Sequence, residues 1–273
     1  MSKTQLYLLD IRIDGTCITR MQGKTFKGII DDVQRVFPLD TGECRDGSPT
    51  FRTIHKFKVT GEPRVVTVVE TSGGETLLER FISDLVSLGI GDITCTPLTD
   101  YEVFAQNVLD VDTDLCKPSP RKLSKKFTYW NELTIDYHGM TWEDFKQLWA
   151  KEASTVLGLR AESDANVDLY KNKNCRKVTV FTSVDDADDT DGMFNTLPLF
   201  VQNGQNVSNV CKAVQPLDEY LMDLMMEGHA YHTKHGCILY EVAEHYVSVY
   251  KCLALYSLPS LYHYISSTPV MAV

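Results

Sequence analysis

Three groups of residues in this chain have the types and spacing that could do chemistry on their own. His229, His232 and His235 recur every three residues and are followed by Glu241, Glu244 and His245. On a helix that spacing sets successive imidazoles near one face, as a transition-metal site requires. Gly228 and Gly236 bracket the cluster and favour a loop instead, which would scatter the ligands. A second group, Asp185-Asp186-Ala187-Asp188-Asp189-Thr190-Asp191, looks at first like a calcium loop but lacks the spacing and bidentate glutamate of an EF-hand. Acid at the start of a helix suits the macrodipole and explains the run without a metal. The third is basic, Arg121-Lys122 with Lys125-Lys126, and reads as a solvated linker.

Composition excludes several function classes. The net charge is -10 over 273 residues, so a nucleic acid or an anionic membrane surface would repel the chain. Eight cysteines show no Cys-x-x-Cys spacing, which leaves a zinc ribbon or thioredoxin motif unsupported and suits reduced thiols. Asn206-Val207-Ser208 fits a glycosylation acceptor, but no apolar h-region opens the chain and no run of 18 apolar residues occurs. The expected location is the cytoplasm.

The elements that must position any site are written twice. Val178-Thr179-Val180-Phe181-Thr182-Ser183 leads into a helical run ending Thr196-Leu197-Pro198-Leu199-Phe200, and Val66-Thr67-Val68-Val69-Glu70-Thr71-Ser72 leads into another, Glu75 to Leu88. Upstream, Leu9-Asp10-Ile11-Arg12-Ile13-Asp14 matches Asn131-Glu132-Leu133-Thr134-Ile135-Asp136. Thr25-Phe26 matches Thr141-Trp142 as a capped helix start. Downstream, Pro97-Leu98-Thr99-Asp100-Tyr101 matches Pro216-Leu217-Asp218-Glu219-Tyr220. Shared order across so many matches marks a tandem duplication.

Within the first copy, residues 5–14 alternate as a strand, and Phe26, Ile29, Ile30, Val33 and Phe37 fall on one helical face that Pro38 ends. Phe51–Val59 and Arg64–Thr71 form a hairpin through Thr60-Gly61-Glu62-Pro63; a helix carrying Leu77, Leu78, Phe81, Ile82, Leu85 and Leu88 and a strand over 93–98 complete the copy. The order β-α-β-β-α-β is the ferredoxin-like plan. Helices on one face of each sheet leave the other face bare, and the second copy covers it. The expected fold is therefore α+β: two ferredoxin-like (βαββαβ) units packed sheet to sheet as an intramolecular barrel. The expected divisions are a first unit over 1–106, a linker over 107–126, a second unit over 127–220, and an extension over 221–273 packed on the barrel.

Leu169-Tyr170-Lys171, the strand ending Val178-Thr179-Val180-Phe181, Leu197-Pro198-Leu199-Phe200, Cys211 and Ala150-Lys151-Glu152 together resemble the muconolactone isomerase family. Its small bacterial members show Leu-Trp-Arg, Ser-Val-Phe-Asp, Leu-Pro-Leu-Phe, a strand cysteine and Ala-x-Glu in the same order. The Trp-Arg pair is Tyr170-Lys171 here, so a point charge replaces the arginine fork that would grip a carboxylate. The first copy offers only Asp31 and Asp32 where Glu152 should recur. The resemblance implies a cofactor-free proton shift next to a lactone or related carbonyl. On it Glu152 is the candidate base and Tyr170 or Lys171 the donor to the enolate oxygen, while His138 is a candidate by its place at the end of the second copy's first strand, where a pocket mouth would lie.

The expected function is a cofactor-free isomerase or cyclase acting on a small lactone or enolisable carbonyl compound. The partner is a small-molecule substrate or ligand, with no nucleic acid and no membrane, and the chain works as a monomer or homodimer. Two alternatives stand beside this: a non-catalytic small-molecule-binding protein, and a metal-dependent enzyme built on His229, His232 and His235.

Overall fold

The computed structural model describes residues 4–14, 24–37, 50–72, 74–162 and 165–232, and of 227–232 the backbone alone. The chain parts into two compact units, Met1–Leu221 and Met222–Val273, and the first carries everything that follows. Its eight strands are β1 (Gln5–Arg12), β2 (Phe51–Val59), β3 (Arg64–Thr71), β4 (Asp92–Asp100), β5 (Phe127–Ile135), β6 (Asn166–Asn172), β7 (Lys177–Val184) and β8 (Val207–Pro216). They close a barrel in the order β1-β3-β2-β8-β5-β7-β6-β4. Each half contributes four neighbouring antiparallel strands.

The two sheets face each other and also hydrogen-bond at their edges. Phe57–Val59 of β2 pairs with Val214–Pro216 of β8, and Leu98–Asp100 of β4 pairs with Tyr170–Asn172 of β6. Strand alternation then sorts the side chains into three layers. Leu6, Leu8, Phe57, Val66, Leu98, Trp130, Tyr170 and Phe181 fill the barrel interior. Tyr7, Leu9 and Ile11, on the opposite face of β1, belong to the helix layer of the first half. Because both faces are covered, β3 and β7 are buried at nearly every position rather than at alternate ones, their threonines included.

On the first half lie α1 (Phe26–Val36) and α2 (Thr76–Ser87); on the second lie α4 (Trp142–Ala161), α5 (Asp189–Thr196) and α6 (Pro198–Asn203). The capping threonines do what their type suggests. Thr25 Oγ1 accepts from the Gly28 N–H at 3.2 Å, and Thr141 Oγ1 from the Asp144 N–H at 3.2 Å. Two further helices are exchanged between the halves. α3 (Tyr101–Leu109) follows the last strand of the first half yet packs Tyr101, Ala105 and Leu109 into the second half's helix layer. α7 (Leu217–His232) follows the last strand of the second half and sets Leu217 and Leu221 into the first half's layer. No helix among the described residues is long and apolar enough to cross a membrane.

Candidate functional site

The long helix α4 buries Phe145, Leu148, Trp149, Glu152, Ala153 and Leu157, a stripe at three- and four-residue steps that faces the outer side of the β5–β8 sheet. Glu152 falls in the middle of that stripe, so helical periodicity carries its carboxyl under the apolar layer; it is 6% exposed. A break in the opposite wall gives it a partner. Leu197 is extended ahead of Pro198, as a residue before proline prefers, and this divides α5 from α6. The first N–H groups of α6 have no intrahelical acceptor, and the Leu199 N–H donates to Glu152 Oε2 at 2.9 Å. Burial pushes the carboxyl up to about 7 against that hydrogen bond, which favours its charged form.

Glu152 borders a cavity of about 40 Å³ between α4, α5, α6 and the sheet, walled by Leu169, Val180, Met193, Phe194 and Phe200 among other apolar groups. This volume holds on the order of three waters, well below the roughly 300 Å³ at which ligand pockets begin. Anything larger would have to displace the wall formed by α5 and α6; α5 has no fully buried residue and rests on the core through the partly buried Met193 and Phe194. Besides Glu152, the cavity lining offers the Tyr101 hydroxyl, which accepts from Trp149 Nε1–H at 3.0 Å. Burial raises the Tyr101 pKa, the Trp149 hydrogen bond opposes this, and the carboxylates of Glu152 and Glu102 raise it further. Tyr101 thus stays a phenol and a donor.

The other residues expected at the site lie elsewhere. Tyr170 neighbours Lys171 on β6, and alternation sends the two side chains to opposite faces. Tyr170 points into the barrel, where its hydroxyl donates to Asp168 Oδ2 at 2.6 Å; the same oxygen lies 2.6 Å from His55 Nε2. Lys171 is on the helix side but its Nζ donates to the carbonyls of Asn172, at 2.7 Å, and Cys175. It sits 5.2 Å from the Phe104 ring centre and 5.8 Å from that of Trp149, and burial lowers its pKa.

Lys58 repeats this arrangement in the first half. Its Nζ donates to the carbonyls of Val59 and Glu62 and lies near the rings of Phe26 and Tyr220. A feature present in both halves, each time at the end of a hairpin strand, is a clamp on that hairpin rather than a feature of one site. The open groove of about 400 Å³ beside Lys58, which Phe26, Glu62 and Tyr220 also line, contains no buried carboxyl like Glu152.

His138 is exposed in the turn after β5, where its carbonyl accepts from Asn206 Nδ2 at 2.9 Å, and it does not line the cavity. The side chains of His229, His232 and His235 fall outside the described residues; among those described, no three His, Cys, Asp or Glu groups are placed to hold a metal.

Tyr101 is the residue that sequence reasoning passed over. The Pro97–Tyr101 match with Pro216–Tyr220 was the available signal, since it marks the point where each half hands a helix to the other.

No protein-family model matches the sequence, and no curated protein does. Among solved structures, a variant of chlorite dismutase from Candidatus Nitrospira defluvii is similar at 11% identity and a TM-score of 0.49, over 81% of this chain and 95% of that one. Another variant of the same protein gives 14% and 0.48, over 82% and 95%. A protein from Lactobacillus acidophilus NCFM, provisionally described as a monooxygenase, gives 10% and 0.44, over 80% and 95%.

Proposed function

We propose that the second half carries a proton-transfer site acting on a small enolisable carbonyl compound, as an isomerase or cyclase of the muconolactone isomerase type that needs no cofactor. The observation that carries this reading is Glu152, a carboxyl buried in an apolar chamber with its pKa pushed up to about 7. A base matched to neutral pH is what α-proton removal requires. In the ionised form Glu152 takes the proton from the carbon next to the carbonyl. The electron pair moves onto the carbonyl oxygen, which the Tyr101 hydroxyl stabilises by donation. Protonated Glu152 then returns the proton to a conjugated carbon, so atoms balance and no electrons are exchanged with an outside partner.

Replacing Glu152 with Gln keeps size and hydrogen bonding but removes the proton acceptor. Turnover should fall by on the order of 10²- to 10⁴-fold with ligand binding retained, and solvent deuterium should enter the substrate much more slowly. Unchanged exchange in the variant rules Glu152 out as the base. A second reading, a non-catalytic binding protein, draws support from the Leu199 hydrogen bond, because a buried acid that satisfies a helix terminus has a structural use. On that reading the wild type catalyses no exchange into any lactone or ketone.

A further inference from the structure

The charges around the Glu152 cavity restrict what can occupy it. Among the described residues Glu152 is the one carboxyl in its lining, and no lysine, arginine or histidine joins it there. The nearby basic side chains are committed elsewhere. Lys171 serves the carbonyls of its hairpin. Arg160 of α4 pairs with Glu102 of α3 and donates to the Lys117 carbonyl at 3.0 Å. Arg176 pairs with Asp136 at 2.7 Å, and Lys146 with Asp110 at 2.7 Å. Redirecting any of them would leave its present partner without its cation or donor. A carboxylate in the chamber would therefore lose its hydration with no cation to offset the loss, and would face the charge of Glu152 whenever that group is ionised.

We propose that this site takes an uncharged, mainly apolar lactone or ketone and rejects ligands that carry a carboxylate. This rests on the proton-transfer reading for its choice of carbonyl compounds, and on the charge distribution of the cavity for its exclusion of acids. The motif at β6 agrees with it. Where the resembling family has an arginine, this chain has Lys171, whose ammonium is turned to two backbone carbonyls of its own hairpin. The small volume of about 40 Å³ also favours a single small ring over an extended molecule, since each added group needs further displacement of Met193, Phe194 and Phe200.

Three matched probes test the proposal on the full chain at fixed neutral pH. The first is α-angelica lactone, a neutral methyl-substituted butenolide whose isomerisation moves a proton from the carbon next to the carbonyl to the γ-carbon. The second is the same ring carrying a carboxymethyl group in place of the methyl. The third is the methyl ester of that acid. Dissociation constants can be read from the change in tryptophan fluorescence, to which Trp149 in the cavity lining contributes.

The lactone and the ester should bind at least about tenfold more tightly than the acid, because a carboxylate gives up its hydration in this cavity with no cation or donor set to replace it. Recovery of affinity by the ester separates charge from size. Acid binding as tight as that of the ester overturns the proposal, and so does failure of both neutral probes to bind at millimolar concentration. Neutral probes that bind without solvent-deuterium exchange support the charge rule while refuting the proton-transfer reading.

Discussion

Glu152→Gln has a consequence for stability that requires no knowledge of the substrate. The wild-type carboxyl titrates at about 7 rather than at its ordinary 4.5 because burial disfavours its charged form. At about 1.36 kcal/mol per unit of pKa, that interval is worth on the order of 3 kcal/mol. The sign follows from which state holds the proton. Below 4.5 folded and unfolded chains are both protonated at this position, and the folded state incurs no charge-burial cost. Between 4.5 and 7 the unfolded chain releases the proton while the folded one keeps it, so stability falls as pH rises. Above 7 the loss is complete.

The glutamine variant does not titrate at this position, and every other ionisable group is common to both proteins. The stability of the variant relative to wild type should therefore rise by on the order of 3 kcal/mol from the acidic to the basic side of this window. Urea unfolding of both proteins across the window, followed by fluorescence, measures this difference directly. Parallel stability curves would show that Glu152 titrates in the folded chain as it does in the unfolded one, and the argument for a neutral-pH base would fail with them.

Three further outcomes can be checked on the same preparations. Tyr101→Phe removes the proposed enolate donor and the acceptor of Trp149 Nε1–H. Turnover should fall on the order of 10²-fold, with a stability cost of about 1–3 kcal/mol seen in urea unfolding; unchanged turnover would exclude Tyr101 from the chemistry. Lys171→Met frees two hairpin carbonyls and should cost about 1–3 kcal/mol while turnover per folded molecule is kept, and a selective loss of turnover would refute the clamp assignment. His55→Asp sets a second carboxylate against Asp168 inside the barrel and should cost about 3–5 kcal/mol. Adding Asp168→His should recover most of that loss, and a double variant no more stable than either single one would refute the pairing.

How much of this could be read in the sequence depends on whether the signal was local. The strands, α1, α2 and α4 were legible because each carries its own apolar pattern and, in α1 and α4, its own cap. The burial of Glu152 was not read from its type, since a glutamate beside Lys151 suits a solvated face, although the spacing of Phe145, Leu148, Trp149 and Val156 carries position 152 onto the apolar one. The opposite facing of Tyr170 and Lys171 was implicit in strand alternation. α3 was harder to see. Glu102, Gln106 and Asn107 dilute its pattern, and the buried Glu102 finds its partner in Arg160, on a helix of the other half. Helix exchange likewise brings Tyr101 into the second half's layer, which no local pattern shows. The break between α5 and α6 was hidden in an apparently single run, although Leu197-Pro198 carried the reason for it.

Fusion of the two halves lets equivalent positions differ, and the chain uses this freedom twice. Eleven residues after the capping threonine stands Val36 in the first half and Glu152 in the second. Val36 packs against a continuous apolar layer, whereas Glu152 opens a chamber under a divided helix. One half is thereby free to serve as a wall while the other can bear the cost of a buried acid. The second case lies inside the barrel. His55 and Asp168 each stand three residues ahead of the lysine that clamps their hairpin, Lys58 and Lys171, and so occupy equivalent places that meet at 2.6 Å. Two copies of either half alone would bring together two imidazoles or two carboxylates, and the carboxylates would repel across a poorly screened interior. A His–Asp contact at this point requires unlike halves. It favours closure of each half on the other within one chain over pairing of either half with its own kind, and the same inequality confines the Glu152 chamber to one side of the barrel.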